Sequence, residues 1–185
     1  MSRRARIAWL GLALALLPAC AAIPPLGASE DLPHFLQVDE HLYRAGQPTE
    51  AGFRRLADLG IKTVIDLRAE HPKRRRQEQT FVESLGLRWV YLPMHSYWRP
   101  SDVQVVTFLK IASDPAQQPV FIHCRQGEDR TGALVAVYRI VKQGWEPQRA
   151  YAEARALGLS RWNPLMRYVI LHNAKAKYAR AVLGP

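Results

Sequence analysis

The stretch Pro119–Val137, PVFIHCRQGEDRTGALVAV, decides how this chain is read. Its opening, PVFIH, is short and nearly all apolar, which suits a strand at the centre of a sheet covered on both faces. Its end opens an apolar helix predicted over Thr131–Val141. Between them lies a loop, HCRQGEDRTG, from His123 to Gly132. Cys124 and Arg130 bracket five residues of it. A loop at a helix N-terminus turns its backbone N–H groups inward and makes an anion nest. Gly127 permits the turn and a close approach to the anion. Arg130 offers a planar fork that matches two oxygens of a tetrahedral oxyanion. The same positive field favours thiolate over thiol at Cys124, and a thiolate at the base of an anion cradle is an activated nucleophile. Thr131 is placed to donate a hydrogen bond to that sulfur and stabilise it as a leaving group.

Outward from the loop, strand and helix signals alternate. Leu36–Arg44 reads as extended. Thr49–Leu59 reads as a helix capped by Thr49 and stopped by Gly60. Lys62–Leu67 is a β-branched strand, and Lys73–Leu85 an amphipathic helix ended by Gly86. Leu87–Leu92 is a strand halted by Pro93. Ser101–Ile111 is a helix with Ser101 as cap. Pro147–Leu157 and Asn163–Tyr178 are further helices. This alternation predicts an α/β fold with a mostly parallel central sheet flanked by helices.

The loop resembles the H-C-x5-R-[ST] phosphate-binding loop of protein tyrosine and dual-specificity phosphatases. LYRAGQP (Leu42–Pro48) and TVIDLR (Thr63–Arg68) resemble segments of the atypical dual-specificity phosphatases of bacteria, plants and fungi. The resemblance covers most of residues 40–150 and implies the small tyrosine-phosphatase-type α/β domain. It implies Cys124 as nucleophile and Arg130 as transition-state clamp. The backbone amides of Arg125, Gln126, Gly127, Glu128, Asp129 and Arg130 would hold the phosphate, and His123 would order the loop and, with Thr131, stabilise the thiolate. The implied reaction is hydrolysis of a phosphomonoester through phosphocysteine. Phosphotyrosine, phosphoserine, phosphothreonine or a small phosphorylated molecule is the expected substrate. No cofactor and no metal are implied, and the six histidines are dispersed. A phosphoinositide or inositol phosphate phosphatase, and a catalytically weak phosphate-recognising module, are the alternatives. A sulfurtransferase or arsenate reductase also uses a Cys-headed anion loop, but arsenate reduction normally needs further cysteines.

Expelling an alcohol or phenol needs a proton donor. Asp129, directly before Arg130, is the preferred acid; some relatives carry Asp at that place. Asp102, beside Trp98-Arg99-Pro100, is the alternative, although in the first turn of a helix an acid also serves the dipole. Arg44, Asp66 and Arg68 either reach the loop from strand ends or form a structural ion pair. Phosphoinositide-cleaving relatives often carry Lys where this chain has Glu128, and an acid there repels a polyanion. Arg125 and the run Lys73-Arg74-Arg75-Arg76 pull the other way. Tyr97, Trp98 and Trp89 either wall a pocket for an aryl ring or belong to the core.

The N-terminus carries a separate message. Arg3, Arg4 and Arg6 precede an apolar run, Ile7–Leu17, that is too short to span a bilayer and suits a secretory signal. Leu17-Pro18-Ala19-Cys20 resembles the bacterial lipobox, with a plain signal peptide or an uncleaved anchor as alternatives. Residues 1–19 are therefore expected to be a signal peptide, 20–33 a linker behind a lipidated Cys20, and 34–181 the phosphatase domain. The expected location is the bacterial cell envelope, as a lipoprotein facing the periplasm and held to the membrane by its lipid. Cys124 would then be the domain's only thiol. The 185 residues, 48% hydrophobic and 23% charged, suffice for one domain with a substantial core. The net charge is +10, and loss of the three arginines of residues 1–19 leaves +7. Such a balance suits anionic partners; no nucleic-acid-binding motif accompanies it, and no nucleic-acid partner is expected.

Overall fold

In the computed structural model, residues 27–172 and 174–183 are described. The expected signal peptide and Cys20 lie outside the described residues. Five strands form one sheet in the order β1-β2-β5-β3-β4: β1 Leu36–Gln37, β2 Leu42–Ala45, β3 Thr63–Arg68, β4 Arg88–Met94 and β5 Val120–His123. Only the β1–β2 pair is antiparallel. The helices are α1 Glu50–Asp58, α2 Pro72–Ser84, α3 Asp102–Ser113, α4 Asp129–Lys142, α5 Pro147–Ala156, α6 Pro164–Leu171 and α7 Ala174–Leu183. No described helix is long and apolar enough to cross a membrane.

Strand periodicity sorts the core into two layers. Val64 and Phe121 point to one face, where Phe53 and Leu56 of α1 and Val82 of α2 cover them. Ile65, Leu67, Val120 and Ile122 point to the other, packed with residues of α3 and α4. α4 is buried from Arg130 to Val141. Such a helix has no solvent face to spare, because the sheet lies on one side and α5, α6 and α7 on the other. Cutting fully buried Leu134 to Ala would cost about 2–5 kcal/mol here.

Four boundaries differ from the sequence expectation. The extended segment 36–44 is a small hairpin, because Asp39 Oδ1 accepts from the amides of His41 and Leu42 and turns the chain. β4 runs through Pro93 instead of stopping there; as an edge strand it tolerates the missing donor. The single C-terminal helix is two, α6 and α7, with His172 in an extended conformation after the first. The expected linker 20–33 already belongs to the domain at its end. Leu32 is fully buried beside Phe53 and Leu56, and Asp31 O accepts from Thr49 N.

Candidate active site

The parallel strands β2, β5, β3 and β4 release their loops at one end of the sheet, the end at which open α/β sheets place ligands. There a cleft of about 520 Å³ is lined by residues of three of these loops, among them Glu70, His95, Trp98, Cys124, Asp129 and Arg130. β5 feeds directly into Cys124, and α4 begins five residues later. The first-turn amides of α4 have no intrahelical partners, and its N-cap, Glu128, makes no side-chain cap. Such uncapped amides are available to an anion.

The loop is held from outside. Gly127 adopts φ +79°, and a Cβ there would stand 2.5 Å from Gly46 N. Gln47 N donates to Arg125 O at 3.0 Å. Arg44, buried on β2, donates through Nη2 to Gly127 O. Burial pushes the Arg44 guanidinium below its ordinary value, and the charge of Cys124 works against that shift. Of the three strand-end residues considered from sequence, only Arg44 reaches the loop.

Cys124 is 2% exposed and lines the cleft. Gly127 N donates to Sγ at 3.2 Å. This backbone donor takes the place of the expected Thr131 hydroxyl, which is buried without a hydrogen-bond partner. His123 likewise turns from the sulfur. Strand alternation sends it to the α1–α2 face, where Nε2 pairs with Glu78 Oε1 at 3.0 Å. Arg68 bridges Asp66 Oδ2 at 2.9 Å and Glu78 Oε2 at 2.6 Å. Asp66, Glu78 and His123 bring ligand-type atoms together, but Arg68 is inserted among the carboxylates, and the cluster is a closed ion-pair network. Burial would raise the Glu78 carboxyl, yet His123 and Arg68 outweigh it and hold it at about 2.

Arg130 is also buried. Its Nη1 and Nη2 donate to the two oxygens of Glu70, each at 2.9 Å, and Nη1 donates to Met94 O at 3.2 Å. Burial opposes the Arg130 charge, but Glu70 and Cys124 together raise it above its ordinary value. Burial also opposes the Glu70 charge, and Arg130 overrides it, holding the carboxyl at about 2. The sequence offered no sign of Glu70. It sits in the β3–α2 turn, which lines the cleft through Ala69, Glu70 and His71, the last at φ +56°.

Asp129 lines the cleft, and its Oδ1 accepts from Ser160 N at 2.7 Å. Arg125 and Gln126 also line it, whereas Glu128 faces His34 at 3.9 Å. Asp102 is elsewhere. Its Oδ1 binds Lys177 Nζ at 2.7 Å and Tyr178 OH at 2.9 Å on α7, so the alternative acid is removed from the cleft. Its carboxyl is lowered chiefly by the Lys177 hydrogen bond. Tyr97 and Trp98 stand at the cleft, while Trp89 stacks on Tyr91 away from it.

A cysteine sulfur at a helix N-terminus, with an arginine fork in the same cleft, fits a cysteine-dependent phosphatase. The chain belongs to the family described as DSP-PTPase phosphatase fused to NAD+ kinase, which matches residues 15–163. It is 35% identical over 137 residues to the probable tyrosine-protein phosphatase DG1060 of Dictyostelium discoideum, covering 72% of this chain and 76% of that one. It is 30% identical over 171 residues to the dual specificity protein phosphatase TpbA of Pseudomonas aeruginosa, covering 84% and 75%. The crystal structure of TpbA in complex with pTyr superposes with a TM-score of 0.69 at 24% identity, over 82% of this chain and 91% of that one. The catalytic core of the PP-IP phosphatase SIW14 from S. cerevisiae gives 0.68 at 24% identity, over 81% and 92%.

Proposed function

We propose that this phosphatase acts on aryl phosphomonoesters, phosphotyrosine in proteins foremost, with Cys124 as nucleophile and Asp129 as acid. The observation that carries the reading is the cleft itself. Cys124, Arg130, Asp129, Tyr97 and Trp98 line it together, and Cys124 and Arg130 are buried there while Tyr97 and Trp98 are exposed. The thiolate attacks phosphorus while the bond to the ester oxygen breaks. Asp129 gives its proton to the departing oxygen. Its Oδ1 is fixed by the Ser160 amide, which leaves Oδ2 to carry that proton. Water then attacks the phosphocysteine, the S–P bond breaks, and Asp129 takes the water's proton. The loop amides and Arg130 hold the phosphoryl oxygens through both steps.

The leader reading and the lipobox at Cys20 support a lipoprotein at the cell envelope, tethered through its N-terminus. A phosphorylated inositol is the second reading. Exposed Arg125 at the cleft favours it, and the acids Glu70 and Asp129 on the same wall oppose a polyanion. The test is Cys124→Ser against a panel of phosphotyrosine and phosphoserine peptides, inositol phosphates and nucleotides. Turnover is expected to fall by at least about 10³-fold with phosphate affinity retained. Undiminished turnover refutes the phosphocysteine, and preference for an inositol phosphate in the wild type moves the substrate to the second reading.

A further inference from the structure

Large apolar side chains are left in the open at the cleft and on the segment hydrogen-bonded to it. Tyr97 is 85% exposed, Trp98 72% and Trp162 79%, with Leu165 and Tyr168 partly exposed beside them. They come from two elements that are joined. Asn163 Nδ2, next to Trp162, donates to Ser96 O, next to Tyr97, at 2.9 Å. Arg99 lies 5.7 Å over the Tyr168 ring. A contiguous exposed aromatic surface is a place where something else docks.

Its charges say what. Arg161 lies 4.7 Å over the Trp162 ring, and Arg99, Arg125 and Arg167 are exposed around the patch. The neighbouring acids are engaged within the protein: Glu70 by Arg130, Asp102 by Lys177, Asp129 by the Ser160 amide. Trp and Tyr settle at the headgroup level of a bilayer, and exposed Arg adds attraction to anionic lipid.

The tether points the same way. The chain enters the domain at the catalytic end, where Pro33 O accepts from Gly46 N at 2.6 Å and His34 faces Glu128 of the phosphate loop. Eleven residues lead from Cys20 to Asp31, a reach of roughly 35–40 Å when extended. A lipid on Cys20 therefore leashes this end of the domain toward the membrane.

We infer that the face carrying Tyr97, Trp98, Arg161 and Trp162 rests on a bilayer rich in anionic phospholipid, with the mouth of the cleft at headgroup level. The orientation rests on the lipid-anchor reading; the contact rests on the patch. Full-length protein is mixed with vesicles of phosphatidylcholine, with or without phosphatidylglycerol, whose acyl chains carry bromine. Tryptophan fluorescence should be quenched more strongly on the vesicles containing phosphatidylglycerol. In vesicle co-sedimentation, the double variant Arg161→Glu/Trp162→Ala should lose at least about half of its binding to the vesicles containing phosphatidylglycerol while turning over a soluble aryl phosphate at the wild-type rate. Equal binding of variant and wild type overturns the proposal. So does a variant whose only defect is a raised KM for a phosphotyrosine peptide, because the patch is then a peptide-docking surface. Failure of the anchor looks different: Cys20→Ala would leave membrane association in cells unchanged, while the lipid-dependent contrast between wild type and the double variant persists.

Discussion

Two arginine–carboxylate clusters lie within a few residues of each other on this fold, and they serve opposite ends. Beneath the phosphate loop, Glu78 joins Arg68 and His123, with its side chain 5% exposed. Above it, Glu70 grips Arg130 with a side chain 32% exposed. Both carboxyls are held at about 2. The lower pair is sealed by α1, α2 and the sheet, so its donors are committed for the life of the fold. The upper pair borders the cleft, where a phosphate can offer Arg130 the same two oxygens that Glu70 offers. Charge pairing of one kind thus gives scaffold where it is closed and a binding site where it opens to solvent.

The sharpest way to break this contrast is Glu78→Ala. It strands His123 and leaves Arg68 with Asp66 alone, and should cost about 3 kcal/mol, read as a fall in the denaturant midpoint. A loss below about 1 kcal/mol would make the lower cluster no more structural than a surface pair. The same cluster should also show in acid. The folded chain keeps Glu78 ionised down to about 2, against an ordinary value of 4.5. Its contribution is complete above about pH 4.5 and is lost as the pH falls through 2, because the unfolded chain takes up the proton first. Glu78→Gln should therefore flatten the loss of stability between those values.

On the open side, Asp129→Asn should slow a phosphotyrosine peptide by about 10²-fold. The comparison is made on kcat/KM, which reports phosphocysteine formation alone; there an activated aryl phosphate, whose leaving group departs unprotonated, should be nearly unaffected. Equal slowing of both substrates would make Asp129 a brace for the Ser160 loop instead of an acid. Glu70→Gln should be milder and opposite in sign. With the internal competitor weakened, inorganic phosphate should bind several-fold tighter, by about 1 kcal/mol, measured as product inhibition. Weaker inhibition would show that Glu70 orients Arg130 and does not compete for it. The smallest effect belongs to Asp102→Asn, outside both clusters: about 0.5 kcal/mol from a lost surface pair, with turnover unchanged.

The strand–loop–helix unit was readable in the sequence because its signals are local. An apolar run, a Gly at the turn and a Cys–Arg spacing all fall within Val120–Arg130. The caps at Thr49 and Ser101 were readable for the same reason. What escaped was set by tertiary contact. Glu70 meets Arg130 across 60 residues of chain, and nothing near Glu70 announces it. The Thr131 hydroxyl looked like the sulfur's donor from its place after Arg130, but the turn at Gly127 brings a backbone amide to the sulfur instead. Pro93 looked like a stop because proline cannot donate, a constraint that an edge strand does not impose. The break between α6 and α7 escaped because both helices keep an apolar stripe, so periodicity continued across it.

The grip of Arg44 on Gly127 spans 83 positions of chain. A cradle clamped this way has no native shape in a fragment, since its outer wall, Ala45 and Gly46, arrives only when β2 has paired with β5. Loop closure over such distances is slow compared with helix formation. Recovery of catalysis during refolding is therefore a clock for the completion of the sheet, and it lags the return of helical signal.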